Sequence, residues 1–151
     1  MPVAPIPEGF HTLTPYLTVT HAERCIDFLK QAFDAKELHR TTTPEGSIAH
    51  AQLRIGDSML MLSEQCKDWP SAGCGIYLYV PDTDATYRKA LAAGATSIME
   101  PADQFYGDRN AGVRDAFGNI WWIGTHIRDV PPDELEKAAQ ETYRQRAAGR
   151  S

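Results

Sequence analysis

The sequence predicts an α+β fold built from two βαβββ modules. Three observations carry that prediction. The order strand, helix, short strand, hairpin occurs twice along the 151 residues. Landmarks recur at a nearly constant offset: Leu17-x-Val19 answers Leu78-x-Val80 at 61 residues, Ala35 answers Ala95 at 60, and Gly56 answers Gly118 at 62. Repetition at this period marks one supersecondary unit used twice. A unit of about 55 residues could hardly bury a sheet alone, so the two are expected to pack together.

The elements follow in order. The prolines Pro2, Pro5, Pro7 and Pro15 predict an extended N-terminal arm. "LTPYLTVT" alternates as a strand. "AERCIDFLKQAF" places Ala22, Cys25, Ile26, Leu29 and Phe33 on one helical stripe, and Thr20 and Glu23 have the spacing of a capping box. "KELHRTT" is a short strand, and "SIAHAQLRI" and "SMLMLSE" form a hairpin about the Gly56-Asp57 turn. The second module repeats this with "GIYLYV", then a helix in "DATYRKALAA" between the N-cap Asp82 and the C-terminal Gly94. "TSIME" is its short strand, and "DRNAGVRD" and "NIWWIGTH" meet at a turn over 116–118. The expected division is one domain over 1–127, with modules 11–64 and 75–127, and a tail over 128–151. Within the tail, "DELEKAAQETYRQRAA" reads as a helix whose acids lead and whose arginines trail, as the helix dipole favours. It is expected to lie on the domain or on a partner subunit with no chemistry of its own, and disorder is expected beyond 147.

Composition narrows the partners. The chain is 42% hydrophobic and 23% charged, with net charge −5 and no run of Lys or Arg. Nucleic acid and anionic membrane are therefore not expected, since both require clustered positive charge. No apolar run approaches the ~20 residues of a membrane span. The N-terminus lacks the basic start and apolar stretch of a signal peptide, so the expected compartment is the cytoplasm. Three cysteines without a CxxC pair make no disulfide framework; Cys25 is expected in the core, and Cys66 and Cys74 in a polar loop.

Strand alternation sorts residues by face. Leu13, Leu17 and Val19 are expected in the core, with Thr14, Tyr16 and Thr18 opposite. Ala49, Ala51, Leu53 and Ile55 are expected inside, with His50, Gln52 and Arg54 opposite. Ile76, Leu78 and Val80 go inside, leaving Tyr77 and Tyr79. In the last strand Ile120, Trp122, Gly124 and His126 share one face, and Trp121 takes the other.

Four stretches carry a family resemblance: "TPYLTVTHAERCIDFLKQAFDA", "GSIAHAQLRIGDSMLMLSE", "YLYVPDTDATYRKALAAGAT" and "FYGDRNAGVRDAFGNIWWIGTH". They resemble the vicinal oxygen chelate superfamily of glyoxalase I, extradiol dioxygenases and bleomycin-resistance proteins, and within it the PhnB-like branch. The resemblance implies the glyoxalase/bleomycin-resistance/dioxygenase fold: strands curled into a mixed-sheet cup with helices outside and the ligand within. It also assigns the face of Trp122 to the cup. In metal-dependent relatives, strands of both modules supply the ligands of a divalent ion. Their positions align with Thr14, the neighbourhood of Met61, Gly75 and Trp122. None of these is a carboxylate, imidazole or thiolate, the donors such ions require. A slip of one residue brings in Leu13, Leu60 or Leu62, Cys74 and Trp121, which is no better.

The expected function is thus metal-independent binding of an aromatic or amphipathic small molecule in the cup, without cofactor, by a homodimer. Expected ligand contacts are Tyr16, His50, Gln52, Arg54, Tyr77, Tyr79, Tyr106 and Trp122, with Met59 or Met61 beside them. The alternative is a glyoxalase-like lyase or isomerase, or a dioxygenase, with a displaced metal site or with His50 as general base. Gln52, where the branch commonly has Glu, removes a charge that would support His50. A displaced site would join His50 to Glu64, Glu100 or Asp103. Asp108, Arg109, Arg114 and Asp115 are expected to hold hairpin geometry. Asn119 reads as a turn residue, and His11, His21, His39 and His126 as surface or terminal residues. The cup is expected either within one chain or shared between subunits.

Overall fold

The computed structural model describes residues 2–149. The element order is β1 (Tyr16–Val19), α1 (Ala22–Phe33), β2 (Lys36–Thr42), β3 (Ile48–Ile55), β4 (Ser58–Glu64), β5 (Gly75–Tyr79), α2 (Thr83–Ala92), β6 (Thr96–Asp103), β7 (Asp108–Arg114), β8 (Ile120–His126) and α3 (Pro132–Ala148). The first ten elements are the strand–helix–three-strand order, used twice. The strands form two separate four-stranded sheets, ordered β1-β4-β3-β2 and β5-β8-β7-β6. In each, the first strand runs parallel to the last of its module, and the other pairings are antiparallel. The α+β architecture is the expected one.

The start of α1 differs from the expected capping box. His21 occupies the N-cap in a left-handed conformation, φ 56°, and no side chain of the helix itself caps it. Glu64, at the end of β4, supplies the carboxylate instead. It accepts the His21 N–H at 3.1 Å and the Ala22 N–H at 2.9 Å. A negative charge placed there satisfies two otherwise orphaned donors and opposes the helix dipole. Glu64 is therefore committed to α1 rather than to a displaced metal site. Helix α2 is capped as expected: the Asp82 carboxylate accepts the Ala85 N–H at 3.1 Å.

One core joins the modules. The stripe of α1 buries Cys25, Ile26, Phe28, Leu29, Ala32 and Phe33 against Leu17, Val19, Ala51, Leu53 and Leu62. Phe33 and Phe28 reach across to the second module, onto Trp121 at 4.8 Å and Phe117 at 6.4 Å between ring centroids. Burying a Leu or Phe side chain contributes roughly 2 kcal/mol, so sharing the core benefits both halves. Helices α1 and α2 pack on each other, and Lys89 pairs with Asp34 across that seam at 2.8 Å.

Two core assignments are corrected. Leu13 is 88% exposed, because β1 begins only at Tyr16 and the residues before it are not held in the sheet. Ala49 is exposed while Ile48 is buried. Thr41 pairs with His50 and Thr42 with Ile48, so Ala49 is the extra residue of a bulge and the alternation shifts there. In the tail, α3 continues through Ala148, past the point where order was expected to end; residues 150 and 151 lie outside the described residues.

The turn between β7 and β8 is organised by Asp115, which is 5% exposed. Its Oδ1 accepts the backbone N–H of Phe117 at 2.8 Å and of Asn119 at 2.9 Å. Its Oδ2 accepts the Asn119 side-chain amide at 3.0 Å and the Trp121 indole N–H at 2.9 Å. Asn119, fully buried, also accepts the Cys74 N–H at 3.3 Å and so holds the start of β5. Asp115→Ala would strand the indole and amide donors in the core. At about 1–3 kcal/mol for each unsatisfied buried donor, a loss of roughly 3 kcal/mol or more is expected. The urea midpoint, read by tryptophan fluorescence, measures it; a loss within experimental error contradicts this role for Asp115.

Candidate functional site

The residues expected to line one cup fall into two groups. On the first sheet, Tyr16, Met61 and Gln52 are register partners, and His50 follows on the same face. The Tyr16 hydroxyl lies 3.3 Å from His50 Nδ1, with the rings 5.7 Å apart. Arg54 points from the same face into the groove between the β3–β4 turn and β5, near Asp57 and Tyr79. On the second sheet, Tyr77, Trp122 and Gly112 form one register row, Tyr79, Gly124 and Asn110 the next, and His126 with Asp108 the third. Among the described residues no hydrogen bond or ring contact links the first group to the second.

The second group is the more elaborate. Its aromatic rings lie flat because glycines make room. A Cβ at Gly112 would stand 2.5 Å from the Trp122 ring, and one at Gly124 2.5 Å from the Tyr77 hydroxyl. Glycine inside a strand here marks the close approach of a side chain. Trp122, Tyr77 and Tyr106 line a cleft of about 280 Å³ together with Asn110, Gln104 and Phe105. Two residues of α3, Tyr143 and Arg146, complete its wall.

Asp108, only 4% exposed, is the hub beneath this cleft. Its Oδ2 accepts the hydroxyls of Tyr77 at 2.8 Å and Tyr79 at 2.9 Å. Its Oδ1 meets His126 Nδ1 at 2.9 Å, and Asp129 meets His126 Nε2 at 2.7 Å. With a carboxylate on each ring nitrogen, both nitrogens can donate at once only as the imidazolium, so the arrangement favours that form. Its hydrogen bonds to Asp129 first and Asp108 second raise the His126 pKa above its ordinary 6.5. Burial opposes the charge of Asp108, but the hydrogen bonds from His126, Tyr77 and Tyr79 outweigh it and lower its pKa. Burial foremost, with the Asp108 carboxylate adding to it, pushes the Tyr77 hydroxyl well above the usual phenol range.

The ionised carboxylate fixes the direction of every bond above it. Tyr77 gives its proton to Asp108, so its oxygen accepts from Asn110 Nδ2, at 3.1 Å. The other hydrogen of that amide goes to the Tyr106 oxygen, and Asn110 Oδ1 accepts from Gln104 Nε2 at 3.0 Å. The Tyr106 O–H is left with its own proton free to donate. The cleft therefore presents hydrogen-bond donors to whatever enters it.

Several assignments change. Asp108 does more than hold the hairpin, and His126, exposed as expected, is in addition tied to two carboxylates. Asn110 and Gln104 were not anticipated, although Asp108, Asn110 and Gly112 alternate opposite the core residues Ala111 and Val113. That pattern was the available signal. Arg109 does hold geometry, joining Asp84 of α2 at 3.1 Å and Asp103 of β6 at 3.0 Å. The last helix, expected to lie on the domain or on a partner subunit with no chemistry of its own, has two side chains, Tyr143 and Arg146, along this cleft.

The metal positions of the resemblance do not fit an ion. Thr14, Met61, Gly75 and Trp122 offer one hydroxyl and one thioether between them, and an indole cannot coordinate. Among the described residues no group of three or more His, Cys, Asp or Glu side chains is arranged to hold one. No helix among them is long and apolar enough to cross a membrane.

A family model described as the glyoxalase/bleomycin resistance protein/dioxygenase superfamily matches residues 9–123. The chain belongs to that superfamily. An uncharacterized protein of Mycobacterium bovis is 39% identical over 137 residues, covering 83% of this chain and 90% of that protein. Among solved structures, TioX from Micromonospora sp. ML1 superposes with a TM-score of 0.66 at 26% identity, over 78% of this chain and 99% of TioX. TnmS3, an antibiotic binding protein from Streptomyces sp. CB03234, shares the fold with a TM-score of 0.62 at 21% identity, over 77% and 95% of the two chains.

The network makes a pH prediction for this superfamily member. The raised His126 contributes stability that is complete below its ordinary 6.5 and is lost as pH rises through its higher folded value. The lowered Asp108 contributes stability that is complete above its ordinary 3.8 and is lost as pH falls through its lower folded value. Both are present between 3.8 and 6.5. An NMR titration should place His126 above 6.5, and Asp129→Asn and Asp108→Asn should each bring it down. A His126 titration that both substitutions leave in place contradicts the network.

Proposed function

We propose that this protein is a metal-independent binder of an aromatic or amphipathic small molecule, with the ligand held against the second sheet. The observation that carries the reading is the pair of flattened rings, Trp122 over Gly112 and Tyr77 over Gly124, beside donors ordered by Asp108. A flat apolar wall with a few fixed polar groups is what a small-molecule pocket requires. The family and the fold support it: TnmS3, an antibiotic binding protein, builds its chain on the same architecture. Binding is proposed for Trp122, Tyr77, Tyr79 and Tyr106, within a domain over 1–127 of the PhnB-like branch, in the cytoplasm.

We further propose that the protein is a homodimer. Tyr16, with half its surface exposed, and the neighbouring His50 and Gln52 form an open face that, among the described residues, no hydrogen bond or ring contact joins to the second group. A second copy would bring the Tyr16 face opposite a Trp122 face and complete the cup, with Arg54 at its edge.

A thermal-shift screen of antibiotics and aromatic acids tests the binding reading, because a ligand that binds only the folded state raises its stability by mass action. At least one class is expected to stabilise the wild type, with the shift unchanged by a chelator and lost in Trp122→Ala. A shift that needs added divalent metal, or that survives Trp122→Ala intact, counts against it. Light scattering coupled to size exclusion is expected to give twice the 16.8 kDa chain mass; a monomer at all concentrations refutes the dimer.

A further inference from the structure

We propose that α3 is a wall of the ligand site and that its Arg146 makes that site select planar aromatic anions. This rests on the binding reading and names the ligand class for the same cleft. The first ground is placement. Half-buried Leu135, Ala138, Ala139 and Thr142 form a stripe at helical spacing along α3, and the stripe runs on to Arg146. Tyr143, one turn before Arg146, meets Phe105 edge-on at 6.2 Å, and Phe105 in turn meets Tyr106 at 5.2 Å. The helix is thereby set against the β6–β7 loop, with Tyr143 facing the same cleft as Trp122. The charged residues Glu136, Lys137, Glu141 and Arg144 line a different surface groove.

The second ground is charge. Of the residues lining the cleft, Arg146 alone is charged. Its guanidinium lies 5.7 Å from the Tyr143 ring centroid, and among the described residues no carboxylate is within ion-pair distance of it. The carboxylate of Asp108 sits behind the tyrosine hydroxyls and is matched by His126. The third ground is the proton order. Tyr106 accepts from Asn110 and keeps its own proton, and Gln104 has an amide hydrogen to spare. Arg146, Tyr106 and Gln104 all offer donors to one cleft. A cationic ligand would oppose the guanidinium and a neutral one would leave its charge unmatched; a carboxylate on a flat ring uses the guanidinium fork and the phenol together. The ring would lie along Trp122, between the sheet and Tyr143.

Naphthoate and its neutral counterpart naphthamide test this by calorimetric titration against wild type, Arg146→Gln and Tyr106→Phe. The wild type is expected to bind naphthoate roughly tenfold more tightly than naphthamide, the worth of one charge-assisted contact. Arg146→Gln should abolish that preference, and Tyr106→Phe should reduce it. Arg146 is exposed, so the substitution leaves the fold intact, which circular dichroism checks. Equal binding of the two probes by the wild type, or an undiminished preference in Arg146→Gln, overturns the anion selection and leaves the binding reading standing. Binding of neither probe, with no stabilising compound in the screen above, overturns both.

Discussion

A carboxylate almost closed to water accepts four hydrogen bonds at the tip of the last hairpin. Asp115 costs desolvation energy, and it persists because every donor around it is aimed at it. Two of the four donors are backbone groups that close the turn. The others are the Asn119 amide and the Trp121 indole, which locks β8 in register. That register decides which tryptophan faces the core. With Trp121 fastened inward against Phe33, its neighbour Trp122 must face the other way. The same charge acts on the nearby thiols: burial first, and Asp115 second, push Cys25 up to about 12, leaving it unreactive.

From this register the rest of the second sheet follows. Gly112 and Gly124 fall under Trp122 and Tyr77, and their missing side chains let both rings lie down. Asp108 falls under the two tyrosine hydroxyls at the far end of the same strand pair. The two carboxylates do different work. Asp115 organises the backbone turn, while Asp108 orders protons in side chains and presents donors to the cleft.

Much of this was legible beforehand. The paired modules, the hairpin at Gly56, the cap at Asp82 and the split of Trp121 from Trp122 all follow from local spacing. The membership of Tyr77 and Trp122 in one face came from the family resemblance, which assigned the Trp122 face to the cup. The bulge at Ala49 was not legible, because alternation has no way to register an extra residue until the partner strand is known. The cap of α1 was missed because its carboxylate comes from Glu64, 42 residues from the helix start. The two carboxylates on the exposed His126 were not legible, because they depend on where β7 and the loop after β8 run.

The sequence by itself determined the order of elements, the repeated module, the family and the absence of ion-holding side chains at the family's metal positions. These are properties of residue identity and short-range period. Only the tertiary structure decided that Asp108 gathers Tyr77, Tyr79 and His126, that Tyr16 and Trp122 stand on separate faces within one chain, and that α3 brings Tyr143 and Arg146 to the cleft. The bond from Tyr77 to Asp108 spans 31 residues. Such contacts are fixed by strand register and helix docking, which depend on the packing of the whole core rather than on any local stretch.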